Sequence, residues 1–151
     1  MKVFIDPELK DSVIEEWVRK VLNVVDGKLL DDLTVKIIEP TNKVDRFQLG
    51  LCTGPKEVEV YGRKATWKYY DVKRDVAETL FHEVCHANDP ADQETIKKTI
   101  IEEAKKRIAS GDAMYTLDGE ICMLVYNHPR EVRARAFAEK MMRQVKEKLA
   151  F

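Results

Sequence analysis

His82, Glu83 and His86 are the residues from which a chemistry can be built. The two histidines are four apart, and the apolar positions around them, Val72, Val76, Leu80 and Val84, recur at four-residue steps. Both imidazoles therefore project from one face of a helix, about one turn apart. Two neutral ring nitrogens at that separation can fill two corners of a tetrahedral zinc site. Glu83 lies beside the same face without being a ligand, where it can accept a proton from a metal-bound water. The hydroxide so formed attacks a polarised carbonyl, and Glu83 passes the proton to the leaving amine. His-Glu-x-x-His on a helix is thus the pattern expected of metal-dependent peptide-bond hydrolysis. The chain has only three histidines and two are in this pattern, which weighs against chance placement. Cys85 is directed away from the histidine face and reads as a small buried residue rather than a thiolate ligand.

A catalytic zinc needs a third protein ligand, and three residues compete for the place. Asp92 lies six residues beyond His86, but the chain between holds Asp89-Pro90 and lacks a glycine that would turn it back toward the metal. Asp92 reads better as the N-cap of the helix that follows. His128 is chemically suited and immediately precedes the last helix. Glu131 lies near the start of that helix.

The elements that must position these groups are legible as changes of period. Asp6-Pro7-Glu8 is a helix start, and Leu9, Val13, Ile14, Trp17, Val18, Val21, Leu22 and Val25 form an apolar stripe that Gly27 should end. Period-two runs follow: Leu33, Val35 and Ile37; Phe47, Leu49 and Leu51; then, after Thr53-Gly54-Pro55-Lys56, Val58 and Val60. Ala65, Trp67 and Tyr69 extend the sheet in this reading. The motif helix begins at Asp71 and stops at Asn88-Asp89-Pro90. Ile96, Ile100, Ile101, Ala104 and Ile108 predict a helix closing near Gly111, and Leu117, Ile121, Leu124 and Val125 a short one. The last helix starts at Asn127-His128-Pro129 and turns Val132, Phe137, Met141, Val145 and Leu149 toward the core. The expected fold is α+β in a single domain over residues 1–151: an N-terminal helix, a three- or four-stranded sheet, the motif helix, then further helices.

Composition closes off other classes. Basic and acidic residues number 26 and 27, so net charge points to no polyanionic partner. The last stretch is locally basic, with Arg130, Arg133, Arg135, Lys140, Arg143, Lys146 and Lys148 against Glu131, Glu139 and Glu147; it reads as a solvated, ion-paired helix rather than a nucleic-acid face. No apolar run approaches the ~20 residues that span a bilayer, and no signal-peptide core is present. Three cysteines without paired spacing suit a reducing compartment, so the expected location is cytoplasmic.

Glu131-Val132-Arg133-Ala134-Arg135-Ala136-Phe137-Ala138 resembles the Glu-x-x-Ala-x-x-x-Ala helix of gluzincin metallopeptidases. The order of elements resembles the minimal soluble members of that group, the minigluzincins, and more distantly the ImmA/IrrE-type and membrane-embedded M48-type peptidases. The resemblance implies a zincin-like endopeptidase acting on a peptide or protein substrate, with Zn2+ held by His82, His86 and Glu131 and with Glu83 as general base. It implies that Ala134 and Ala138 let two helices approach closely, and that an edge strand binds substrate by strand addition; residues 57–61 are the expected edge. His128 or Tyr126 would stabilise the oxyanion, with Tyr115, Tyr69 and Tyr70 as rival donors. The chain departs from the pattern at Arg135, where many gluzincins have an aspartate that supports a histidine ligand; Asp75 or a backbone carbonyl would have to take that part. It also departs in the added helix of Ile96 to Ile108. The competing reading is a non-catalytic zinc-binding or regulatory module of the same fold, associated with nucleic acid through the basic last helix.

Overall fold

The computed structural model describes residues 1–9, 13–40, 49–63 and 65–149. Among them the chain forms strands β1 (Lys2–Ile5), β2 (Thr34–Ile38), β3 (Gly50–Gly54) and β4 (Glu57–Tyr61). The helices are α1 (Ile14–Leu22), α2 (Gly27–Leu30), α3 (Tyr70–Ala87), α4 (Gln93–Ala109), α5 (Leu117–Asn127) and α6 (Pro129–Leu149). The protein is α+β, and it separates into two compact units, residues 1–89 with 134–151 and residues 90–133.

In the first unit alternation decides which side chains are buried. Val35, Ile37, Val58 and Val60 are all at most 1% exposed, while Lys36 and Glu57 on the other face pair at 2.8 Å. The buried face meets Ile14, Val18, Val21 and Leu22 of α1, Leu80, Phe81 and Val84 of α3, and Ala138, Met141, Met142 and Val145 of α6 in one cluster. The sheet order is β1-β2-β4-β3, with β1, β2 and β4 mutually parallel and β3 antiparallel to β4.

Several expectations are corrected here. β1 was not foreseen; Val3 and Ile5 pack on the core while Phe4 stays 57% exposed, an alternation only four residues long. The N-terminal stripe is not one helix. Pro7–Leu9 is a 3-10 turn whose Glu8 N–H is accepted by Asp6, and α1 is a separate helix beyond it, with Val13 62% exposed at its N-cap. Gly27 starts a helix rather than ending one, because the Asp26 carboxylate accepts the Lys28 N–H and so caps a new turn. Residues 65–69 form turns closed by Thr66 N–H to Arg63 O and Tyr69 N–H to Thr66 O, anchored by Trp67 packing edge-on against Trp17 at 5.0 Å. Val132 is 46% exposed rather than buried. Phe47 and the side chain of Leu149 lie outside the described residues.

The second unit is a hairpin of α4 and α5. Its one fully buried charged side chain, Glu120, accepts from Met114 N–H at 2.7 Å, Tyr115 N–H at 3.0 Å and Arg107 Nε at 2.9 Å. Burial alone would raise the Glu120 carboxyl, but Arg107 and the two backbone donors outweigh it and hold the group below its ordinary value. The connection between the helices is thereby tied to the first turn of α5. No helix among the described residues is long and apolar enough to cross a membrane.

Candidate metal centre

The site begins with the sidedness of α3. Val76, Ala77, Leu80, Phe81 and Val84 are buried in the first unit's core, which leaves His82 and Glu83 half-buried along the helix flank. His86 is 6% exposed. The last turn of α3 is pinned from three directions. Asn88 donates to the carbonyls of Val84 and Leu29, both at 2.9 Å, Lys56 N–H donates to Ala87 O at 2.9 Å, and Lys56 Nζ reaches the Asn88 side chain. Lys56 holds a positive φ of 57° in the β3–β4 turn to do so. The sequence therefore spends a strained turn on fixing the segment that carries both histidines.

The two imidazoles converge. Their Nε2 atoms are 3.0 Å apart and their rings cross at 80°. Two nitrogens on one tetrahedral zinc, each about 2.0–2.1 Å from the metal, lie about 3.3 Å apart, so the observed spacing needs only a small opening to accept the ion. The donor atoms of His82, His86 and Glu131 all lie within 4.8 Å of one another, the one such group found among the described residues. Glu131 is in the first turn of α6, a helix that continues without interruption to Leu149. Ala134 and Ala138 on that helix are 0% and 2% exposed. Two imidazoles and a carboxylate form a ligand set suited to zinc.

The rival ligands are placed elsewhere. Asp92 is the N-cap of α4, accepting from Glu94 N–H at 3.0 Å and Thr95 Oγ1 at 2.8 Å; these bonds, that of Thr95 first, lower its pKa. His128 sits at the junction of α5 and α6, where its Nδ1 accepts the Arg130 N–H at 3.1 Å. Tyr126 is 60% exposed, and Tyr115, Tyr69 and Tyr70 are also largely in solvent. Cys85 is half-buried and unoxidised.

Beside the histidines a cleft of about 440 Å³ is walled by His82, Glu83, Glu78, Thr79, Leu49 and Arg135. Arg135, the position where the resemblance would have an aspartate, is one of the residues lining the cleft. Asp75, the other candidate support, also lines the cleft and pairs with Arg74 at 3.2 Å. The strand next to this cleft is not the expected one. β4 lies between β2 and β3, with its backbone groups engaged on both sides, so it cannot receive a further strand. Among the described residues the outer strands are β1 and β3, and it is β3 that meets Glu83.

Gly50 on β3 is the residue whose part sequence reasoning missed. A methyl group built on it would lie 2.9 Å from Glu59 O, 3.1 Å from Thr79 Cγ2 and 3.9 Å from Glu83 Cγ. An isolated glycine in a strand pattern is the available signal for such an approach. Gly50→Ala is therefore expected to push β3 from α3 and to cost about 1–3 kcal/mol by overpacking. Thermal unfolding checks it; an unchanged midpoint would show that the strand has room to spare.

Comparison with known proteins adds no relative: no family model, curated protein or solved structure matches the chain.

Proposed function

We propose that the protein is a zinc-dependent peptidase of the gluzincin kind, with a zincin-like fold and with His82, His86 and Glu131 as metal ligands. The observation that carries the reading is the convergence of those three donors beside Glu83, a carboxylate that stands outside the ligand set. A zinc ion there supplies Lewis acidity, bringing the pKa of a water toward neutrality and polarising a carbonyl.

The chain's own residues do the rest. Glu83, on the cleft side of α3, takes the proton from the attacking water as the new carbon–oxygen bond forms. It then gives that proton to the amine nitrogen as the carbon–nitrogen bond breaks, so that it ends the cycle ionised. Arg135 holds positive charge in the same cleft and opposes the charge that develops on the carbonyl oxygen. Among the described residues β3 is paired on one side only, and its other edge would align an extended peptide by strand addition.

The test is metal content together with hydrolysis. The purified chain is expected to take up about one zinc ion and to cut a quenched-fluorescent peptide mixture. A chelator should abolish the hydrolysis and added zinc restore it. Failure to bind zinc from excess metal would remove the proposal altogether. Stoichiometric zinc with no chelator-sensitive hydrolysis would instead assign the chain to the non-catalytic module.

A further inference from the structure

The C-terminus of α3 is closed more completely than a helix end requires. The last four carbonyls of a helix lack a partner within it; here they belong to Val84, Cys85, His86 and Ala87. Each has a donor. The Asn88 N–H is shared between Val84 O at 3.2 Å and Cys85 O at 3.3 Å. The Asp89 N–H reaches His86 O at 3.0 Å, and the Lys56 N–H reaches Ala87 O at 2.9 Å. The usual device for this, a left-handed glycine just past the helix, is not used. Asn88 is right-handed, at φ −96° and ψ −2°, and the left-handed residue is Lys56, at φ 57° in the β3–β4 turn.

The Asn88 side chain ties this helix end to two other segments of the same unit. One Nδ2 hydrogen returns to Val84 O and the other goes to Leu29 O of α2, both at 2.9 Å, while Oδ1 accepts from Lys56 Nζ. Lys56 Nζ also approaches Leu29 O at 3.5 Å, and Lys56 O accepts the Thr34 N–H of β2 at 2.9 Å. Segments distant in sequence therefore meet on one amide whose two donors are both used. Holding a lysine in this way costs rotamer freedom and a strained φ. A helix that only had to stop could leave its carbonyls to water. What the arrangement adds is a fixed rotation for the last turn of α3. His86 lies in that turn, 6% exposed, and His82 one turn before it. Their Nε2 atoms, 3.0 Å apart, stand at the far ends of the side chains, so a small rotation of the backbone is magnified there. A helix end without such ties frays.

We infer that Asn88 and Lys56 are positioning residues for the histidine pair: the amide and the ammonium hold the last turn of α3 at the rotation that keeps His82 and His86 converged. The inference rests on the proposed function for the ion that the pair would hold. The convergence itself belongs to the metal-free chain and is measurable there.

The experiment uses the full chain as wild type, Lys56→Gly, Lys56→Arg and Asn88→Ala. Lys56→Gly separates positioning from stability. Glycine takes a φ of 57° without strain and keeps the N–H that reaches Ala87 O, so the ammonium alone is lost and the melting temperature should stay close to wild type. Without metal, NMR is expected to show the contact between the two imidazole rings, whose centroids are 4.6 Å apart, weakened in Lys56→Gly and Asn88→Ala. Amide exchange at Asn88 and Asp89 should be at least about tenfold faster in both. With zinc, the affinity of both should fall about 10–100-fold, the range for groups that support a ligand, and the visible absorption of the Co2+-loaded protein should change shape. Lys56→Arg, which keeps the cation on a long stem, should restore the ring contact and the affinity. A merely structural role predicts affinities that follow melting temperature, with Lys56→Gly at the wild-type value. That result, or an unchanged ring contact in both variants, would overturn the inference. A wild-type chain that takes up no zinc would remove the proposed function, and the ring contact and amide exchange would still decide the inference.

Discussion

Glu131→Ala is expected to weaken zinc binding by at least about a hundredfold, a larger loss than the 10–100-fold typical of residues that merely support a ligand. The fold should survive. Glu131 is half-buried in the first turn of α6, and the substitution leaves that helix its anchoring residues, Ala138, Met141, Met142 and Val145 in the core. It also leaves the His128 Nδ1 bond to the Arg130 N–H that caps the helix start. Asp92→Ala provides the contrast. Its carboxylate serves the Glu94 N–H and the Thr95 hydroxyl, so its removal costs α4 a cap, about 0.5–2 kcal/mol, and leaves metal affinity alone. Zinc titrations of both variants, read beside their melting curves, separate a ligand from a structural residue. Wild-type affinity in Glu131→Ala with affinity lost in Asp92→Ala would overturn the ligand set and make the site metzincin-like.

That contrast was open to argument from the sequence because each feature is local. A histidine pair four apart on a helix, a cap preceding a helix, and a proline-marked start for α6 all depend on residues within a turn or two of one another. The boundaries of α3 and α4 follow for the same reason, from Asn88-Asp89-Pro90 and from Asp92. What could not be read depends on pairing across long stretches of chain. β4 has the same alternation whether it lies inside the sheet or at its edge; its neighbour β2 is distant in sequence, and nothing in Glu57–Tyr61 records that pairing. β1 is too short for period two to be distinguished from chance, and it is defined by its ladder with β2. Gly27 illustrates a different limit. Glycine after an apolar stripe is a stop signal, but the aspartate before it competes for the same turn, and the competition is decided by the Lys28 N–H.

The distinction between edge and interior matters for the proposed chemistry: among the described residues β4 is paired on both sides and β3 on one, and β3 is the strand that Gly50 brings against Thr79 and Glu83. Under the proposed function a peptide would be added to β3, since one placed on β4 would have to displace a paired strand. Under the proposed function, the location of Arg135 in the same cleft would give its departure from the gluzincin pattern a chemical meaning. A cation there cannot accept a proton from a histidine ligand, but it can face an oxyanion.

Glu83→Gln is expected to lower kcat by about 10²–10⁴-fold while zinc content and melting temperature stay at their wild-type values. Glutamine keeps the length and shape of the side chain, so the packing of α3 against β3 at Gly50 is preserved. What it loses is a carboxylate able to take a proton from the attacking water. A residue that only oriented substrate would be satisfied by the amide, and its replacement would raise KM with little change in kcat. The proposed metal ligands are untouched, so chelator-sensitive zinc binding in the variant would establish that the loss lies in the chemical step. Retention of wild-type kcat would mean that another group is the base; Glu78, in the same cleft wall, would be the next to substitute. Loss of zinc and of the folded state together would mean that Glu83 holds α3 to the sheet, and its assignment as the proton carrier would be wrong.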